Sequence, residues 1–135
     1  MTHIGWRFLI AGVGCFTVIF LTSCATTDAE KGPQGTIAYF VKIETSSDDV
    51  RIETNEEYIG KAPLTLKIFG DTDGTFHNFG SSDYVIRAIP SNTNLYTQTK
   101  LFRTGGWFAQ EDRIPKALYF DMNQKSGFSI DLPRY

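Results

Sequence analysis

The chain has 135 residues, of which 41% are hydrophobic, 14% aromatic and 21% charged. This length is enough for one domain and too short for two of ordinary size. The 13 Lys and Arg residues are scattered along the chain and are outnumbered by 15 Asp and Glu residues, so the charge pattern is not that of a nucleic-acid-binding protein. The hydrophobic content also excludes wholesale disorder.

An apolar run opens the chain. Residues 8–21 contain no charged side chain, and Arg7 is the only fixed charge before them. The run matches the h-region of an export signal, about 7–15 residues, better than a membrane-spanning helix, which needs about 20. Gly12 and Gly14 weaken a long helix further. A cleaved signal is therefore predicted, with an uncleaved anchor helix over residues 6–25 as the alternative.

The apolar run ends in Leu21, Thr22, Ser23 and Cys24, a sequence that resembles the lipobox of bacterial lipoprotein precursors. In that family the cysteine becomes the first mature residue and carries a diacylglyceryl thioether and usually an N-acyl chain. The resemblance implies a signal peptide at 1–23 and a mature protein held on a membrane of the bacterial cell envelope by its acylated Cys24. Ala25 stands where Asp would favour the inner membrane, so the outer membrane is the expected location.

The mature chain is predicted to lack disulfides. Cys15 lies in the removed signal and Cys24 is the acylation site, so no thiol remains for a bridge. Residues 25–35 are small and polar, contain Gly and Pro, and show no apolar periodicity, which is typical of a flexible linker. Residues 24–35 are therefore assigned to the lipidated cysteine and its tether, and residues 36–135 to the folded domain.

From residue 36 onward, apolar and polar residues alternate with the period of two that is typical of β-strands. The predicted strands lie at 36–45, 50–53, 58–59, 64–69, 83–89, 95–103 and 118–122, with 128–132 as a last edge strand. Turns rich in Gly, Pro, Asn and Asp separate them. About six or seven short strands in a domain of about 100 residues predict an all-β fold, a small antiparallel β-sandwich, with a small open barrel as the alternative.

The stretch 50–66, VRIETNEEYIGKAPLTL, resembles the PEGA domain, a small β-sandwich of bacterial surface and envelope proteins. The pattern is carried by Tyr-Ile-Gly at 58–60 and by the apolar strand after Pro63. Gly60 and Pro63 are expected to build a tight turn that returns the chain beside the strand that it left, with Gly60 at a positive φ. Because PEGA-like domains are not known as enzymes, the resemblance implies a non-catalytic binding or structural module without a cofactor.

The polar segment 70–83 contains acidic residues that resemble part of a calcium site. Asp71 and Asp73 precede Gly74, as at the start of a calcium loop. The remaining oxygen ligands and the closing Glu are missing from the sequence that follows. A structural turn is therefore predicted here, and no metal site.

His77 is the only histidine of the mature chain, which excludes a histidine-rich zinc site. We expect it to make a turn hydrogen bond between Phe76 and Phe79, which should pack as the small core of their own loop. A small envelope hydrolase that uses His77 or surface carboxylates is the alternative function. No nucleophile elbow of the form Gly-x-Ser-x-Gly accompanies this histidine.

The segment 103–116 combines two glycines with neighbouring aromatic and charged residues, as at binding hot spots. The candidate binding residues are Trp107, Phe108, Arg103 and Arg113. In the alternative interpretation, Trp107 caps one end of the sandwich and an arginine pairs with Glu111 or Asp112. The expected partners are the membrane, through the lipid anchor, and an envelope protein or a cell-wall component. A purely structural surface module without a discrete ligand remains a further hypothesis.

Overall fold

The computed structural model describes residues 28–106 and 109–125. These residues form a 3₁₀ turn at Pro33–Gly35 and seven strands, which confirms the all-β prediction. The strands are β1 (Ile37–Thr45), β2 (Val50–Thr54), β3 (Glu57–Lys61), β4 (Leu64–Gly70), β5 (Asp83–Pro90), β6 (Gln98–Arg103) and β7 (Ala117–Phe120). The strand predicted at 128–132 lies outside the described residues. Within the described ranges no helix is long and apolar enough to cross a bilayer.

The strands form two sheets. The three-stranded sheet has the order β4-β1-β7, and the four-stranded sheet has the order β3-β2-β5-β6. Every pair of neighbouring strands is antiparallel except β1 and β7, which run parallel. The prediction of a purely antiparallel sandwich is therefore wrong for that pair. A parallel pair needs a long crossover, and here the whole four-stranded sheet lies between β1 and β7 in the sequence.

The core lies between the inner faces of the two sheets. Strand alternation produces it: Val41 and Ile43 are fully buried in β1, whereas Phe40, on the opposite face of the strand, is exposed to solvent. The buried hydrophobic residues are Val41, Ile43, Val50, Ile52, Ala62, Leu66, Ile68, Phe76, Ile86, Ala88, Leu118, Phe120 and Met122. The described ranges contain no cysteine, so burial of apolar surface and the backbone ladders hold the sandwich together.

The chain crosses from one sheet to the other at Ala62 and Pro63, which are joined by a cis peptide bond. Strand β3 ends at Lys61 on the edge of the four-stranded sheet, and β4 then pairs with β1 in the three-stranded sheet. The expected return of the chain beside the strand that it left is therefore wrong. Ala62 is buried and its N–H donates to the carbonyl of Val50 at 2.9 Å, which fixes the point where the crossing begins.

The tight hairpin of this stretch lies earlier than predicted, between β2 and β3. Its turn residues, Asn55 and Glu56, both have positive φ (46° and 71°), as a type I′ turn requires. Gly60 lies inside β3 and has no positive φ, so the expected left-handed conformation at Gly60 is wrong. Asn is one of the side chains that tolerate this conformation best, which explains why the hairpin forms at Asn55.

The residues just before β1 extend the three-stranded sheet. Lys31 pairs antiparallel with Ile37, and the N–H of Ala38 donates to the carbonyl of Glu30 at 2.8 Å. The 3₁₀ turn reverses the chain between these partners, with Gln34 and Gly35 at positive φ. Residues 30–35, which belong to the predicted tether, thus lie along the free edge at the start of β1.

Candidate functional site

The two segments with candidate site residues meet at one end of the sandwich, here called the loop end. They are the β4–β5 connection (residues 71–82) and the β6–β7 connection (residues 104–116). Their backbones are joined by a bridge between Thr75 and Arg113 and by the hydrogen bonds Phe76 N–H to Asp112 O (3.0 Å) and Ile114 N–H to Gly74 O (2.9 Å). The two connections therefore form one continuous surface.

Arg103 is held at the base of this surface by Asp112. One guanidinium nitrogen, Nη2, lies 3.0 Å from Asp112 Oδ1, and the Arg103 N–H donates to Asp112 Oδ2 at 2.7 Å. The Asp112 N–H donates back to the Arg103 carbonyl at 2.9 Å. The predicted arginine–carboxylate pair is thus present. Because this pair is exposed and contributes little energy on its own, its main effect is to close the intervening segment into a loop.

The segment that carries Trp107 and Phe108 is anchored on both sides, although these two residues lie outside the described ranges. Gly106 and Ala109 pair with each other through backbone hydrogen bonds of 3.1 and 3.4 Å. Gly105 has a φ of +95°, and its carbonyl accepts a hydrogen bond from Asn78 Nδ2 at 2.9 Å. The β4–β5 connection thereby fixes where this segment leaves the sandwich.

His77 links the loop end to the residues that precede β1. Its Nδ1 lies 2.8 Å from Asp71 Oδ1, and its Nε2 lies 3.0 Å from Gln34 Oε1. A carboxylate only accepts, so Nδ1 donates to Asp71. In the neutral imidazole Nε2 must then accept from the Gln34 amide, whereas in the imidazolium it donates to Oε1. His77 thus has a hydrogen bond within its own connection, to Asp71, and a second one to Gln34, a partner 43 positions away that no sequence pattern indicates.

The two phenylalanines beside His77 have different environments. Phe76 is 1% exposed, and its ring centroid lies 4.8 Å from that of Phe102 and 5.2 Å from that of Tyr84. Phe79 is 49% exposed and contacts the imidazole edge-on at 4.5 Å. The expectation that the loop has a small core of its own is therefore wrong, because Phe76 belongs to the main core.

The serines of the β4–β5 connection bind other partners than His77. Ser82 Oγ donates to Asp83 Oδ2 at 3.0 Å, and Ser81 Oγ donates to the Asp83 carbonyl at 2.8 Å. A shallow cleft of about 330 Å³ lies beside them, lined by Asn55, Glu56, Ser81, Asp83, Val85 and Arg87. Ser81 and Ser82 thus bind Asp83, whereas His77 binds Asp71.

Asp73 has a local structural role in its turn. Its Oδ1 accepts from the Thr75 hydroxyl at 2.8 Å and from the Thr75 N–H at 3.2 Å, the arrangement of an Asx turn. These two hydrogen bonds, the hydroxyl first, lower the pKa of Asp73 below its ordinary 3.8. Among the described residues no group of three His, Cys, Asp or Glu side chains could hold a metal ion.

The lowered pKa of Asp73 predicts a loss of stability in acid. A carboxyl with a depressed folded-state pKa stabilises the fold above its unfolded pKa, and this contribution disappears as the pH falls through the folded value. We expect the urea midpoint to fall as the pH drops below about 5 and through the lowered pKa of Asp73, and to fall less in Asp73→Asn. Thr75→Val should reduce this pH dependence by a smaller amount, because the backbone N–H of residue 75 still donates to Asp73. Identical pH dependence in all three proteins would contradict this assignment.

The loop end thus brings Arg103 and Arg113 together, at the root of the segment with Trp107 and Phe108. Arg113 contributes backbone pairing to Thr75 and a positive charge near Asp73. No protein-family model, no curated protein and no solved structure matches this chain.

Proposed function

We propose that the chain is a lipid-anchored lipoprotein of the bacterial cell envelope whose β-sandwich is a non-catalytic, PEGA-like binding or structural module. One observation carries the proposal: Leu21-Thr22-Ser23-Cys24 directly follows the uncharged run at 8–21. The thiol is the nucleophile that a diacylglyceryl transfer alkylates, the two small residues suit the signal protease, and the leucine seats the segment. Outer-membrane location is the expected form of this anchor, because Ala25 follows the cysteine.

The position of the tether supports a domain that stays close to its membrane. Glu30 already pairs with β1 through its carbonyl, and its side chain forms an ion pair with Lys67 at 3.0 Å. Glu30 follows Cys24 by six positions, and a chain reaches at most about 3.5 Å per residue, or about 20 Å over this stretch. A partner would therefore be met near the bilayer, as suits another envelope protein or a cell-wall component.

The candidate contact region of this module is the loop end. It holds the arginines Arg103 and Arg113 on a hydrogen-bonded base, next to the segment with Trp107 and Phe108. Aromatic and arginine side chains are the residues that most often dominate binding energy at interfaces. The inferred role is non-catalytic recognition, and a module that only spaces or coats the surface is the structural variant of the same proposal.

Intact-mass analysis of protein from the membrane fraction tests the anchor. We expect the wild-type protein to begin at Cys24 and to carry the mass of its acyl chains. Cys24→Ala should remain unprocessed, begin at Met1 and carry no acyl mass. Cys15→Ala is the matched control, because it removes the other cysteine but leaves the mature chain unchanged. A wild-type chain that begins at Met1 without acyl mass would replace the lipoprotein proposal by an uncleaved anchor helix.

A further inference from the structure

The outward-facing side chains of the three-stranded sheet form one continuous surface, here called the outer face. It consists of Ala38, Phe40, Lys42, Glu44, Thr65, Lys67, Phe69, Ala117 and Tyr119. Phe40 is 61% exposed and Tyr119 58% exposed, and they are the two most exposed large hydrophobic side chains among residues 28–106 and 109–125. Both belong to this one face, and exposed apolar groups collected in one place mark contact surfaces.

The outer face places lysine side chains beside aromatic rings. In the register of β1 and β4, Phe40 is opposite Lys67, and Ala38 is opposite Phe69. The Lys67 ammonium lies 5.4 Å from the centre of the Phe69 ring. Tyrosine and lysine each combine an apolar body with a polar tip, so they can bury the body while the tip stays in water.

The charges on the outer face are balanced. Lys42 Nζ lies 2.5 Å from Glu44 Oε1, and Lys67 Nζ lies 3.0 Å from Glu30 Oε1. Two lysines are thus matched by two glutamates, and the face has no excess of either sign from these four groups. A partner for such a surface need not be charged, and the aromatic rings would supply the attraction.

The anchor segment runs along the edge of this same face. Gly32 lies against the Phe69 ring so closely that a Cβ there would stand 2.3 Å from Cδ1. Lys31 pairs antiparallel with Ile37, so the chain before Glu30 runs back toward the level of Phe40. Cys24 precedes Asp28 by four residues, which limits its distance from Asp28 to about 14 Å. The described part of the anchor segment thus lies beside the outer face, and Cys24 is within about 14 Å of the start of that part.

The outer side of the four-stranded sheet is different. Its outward positions carry the charged side chains Arg51, Glu53 and Arg87 together with the exposed Tyr58 and Leu101, and no contact of the anchor segment reaches it among the described residues. Both outer sides thus mix charged and apolar groups, and they differ in their distance from the tether.

We infer that the outer face of the three-stranded sheet lies on the lipid surface in which Cys24 is anchored, with Phe40 and Tyr119 at the boundary between headgroups and hydrocarbon. This inference rests on the acylation proposed above. In this orientation, the four-stranded sheet faces away from the membrane. The short tether and the aromatic face act together. The anchor keeps the domain at a high local concentration beside the lipid surface, and the two rings select the orientation in which the outer face contacts that surface.

Fluorescence quenching by lipids tests the orientation in the acylated full-length mature protein. Thr65→Cys places a thiol on the outer face, and Thr99→Cys is the matched control on the outer side of the four-stranded sheet; both threonines are exposed strand residues. In the acylated chain Cys24 is blocked as a thioether, so a bimane label reacts only at the introduced cysteine. In phosphatidylcholine vesicles with nitroxide-labelled lipid, we expect several-fold stronger quenching at position 65 than at position 99.

A second variant assigns this difference to the aromatic rings. Phe40→Ser combined with Tyr119→Ser, in the Thr65→Cys protein, should reduce the quenching at position 65 to the level of position 99. Both side chains are exposed, so the domain should fold normally. The difference in quenching between positions 65 and 99 should be equal with and without phosphatidylglycerol in the vesicles, because the lysines of the outer face are matched by glutamates.

The outcomes separate this inference from the proposed anchor. A protein without acyl mass removes the proposed function itself, and with it the basis of the inference. An acylated protein with equal quenching at both positions, or with a difference that needs phosphatidylglycerol, overturns the inference while the anchor stands. A difference that disappears when the protein is diluted in lipid assigns the face to a second copy. If the label at position 65 is shielded in native membranes but not in lipid vesicles, the face is assigned to another envelope protein. Either of these two results overturns the lipid contact.

Discussion

Phe76→Ala should lower the free energy of unfolding of the mature protein by about 3–5 kcal/mol, the range for removing a buried phenylalanine side chain. Phe76 is 1% exposed and packs against the rings of Phe102 and Tyr84, so its removal leaves a cavity beside β5 and β6. Urea denaturation followed by circular dichroism measures the change.

The matched control for this substitution is Phe79→Ala, three positions along in the same connection. About half of the Phe79 side chain is exposed, and its ring contacts the imidazole of His77, so we expect a loss below about 1 kcal/mol. Equal losses for the two substitutions would show that Phe76 is not part of the main core.

Gly70→Ala should destabilise the domain by about 1–3 kcal/mol, the usual range for an extra group forced into a packed site. A Cβ at this position would stand 2.3 Å from Ile114 Cδ1 and 2.5 Å from the carbonyl oxygen of Thr75. That carbonyl accepts the N–H of Asp71 at 2.9 Å and cannot move away without breaking the turn. The substitution should therefore disturb the contact between β4 and the loop end.

Gly60→Ala serves as the control, because Gly60 is also a strand glycine. The nearest atom to its added Cβ is Leu64 Cδ2 at 3.3 Å, the end of a side chain that can rotate. Alanine also restricts the unfolded chain more than glycine does, so the stability should change by less than about 1 kcal/mol. A loss at Gly60 as large as that at Gly70 would contradict the contacts described for both sites.

The alternation of apolar and polar residues was enough to locate all seven strands. This works because successive side chains of a strand point to opposite faces, so a strand with one buried face alternates apolar and polar residues. Strand β1 is an example, because Val41 and Ile43 point inward. Strand ends were less predictable. The sixth strand was expected to start at residue 95, but it begins at Gln98, because the N–H of Leu95 turns back to the Asn92 carbonyl.

Pairing between distant segments was beyond prediction, since it depends on where the intervening chain travels. The contact of Arg103 with Asp112 spans nine residues and was foreseen as one of several pairs. The contact of His77 with Gln34 depends on a 3₁₀ turn that no apolar pattern marks. The parallel direction of β7 beside β1 likewise follows only from the crossover between the sheets.

The parallel pairing of β1 with β7 also affects the order in which the domain can form. Strand β1 is among the earliest parts of the domain to be synthesised, yet one of its neighbours is the last described strand. Just beyond these strands, the hydroxyl oxygen of Ser46 accepts the N–H of Met122, 76 positions later. Contacts so distant in sequence slow folding, because a long loop must close before they form. During synthesis, β1 would thus stay open on one side until nearly the whole described domain has emerged, which delays completion of the sandwich until synthesis of the domain is nearly finished.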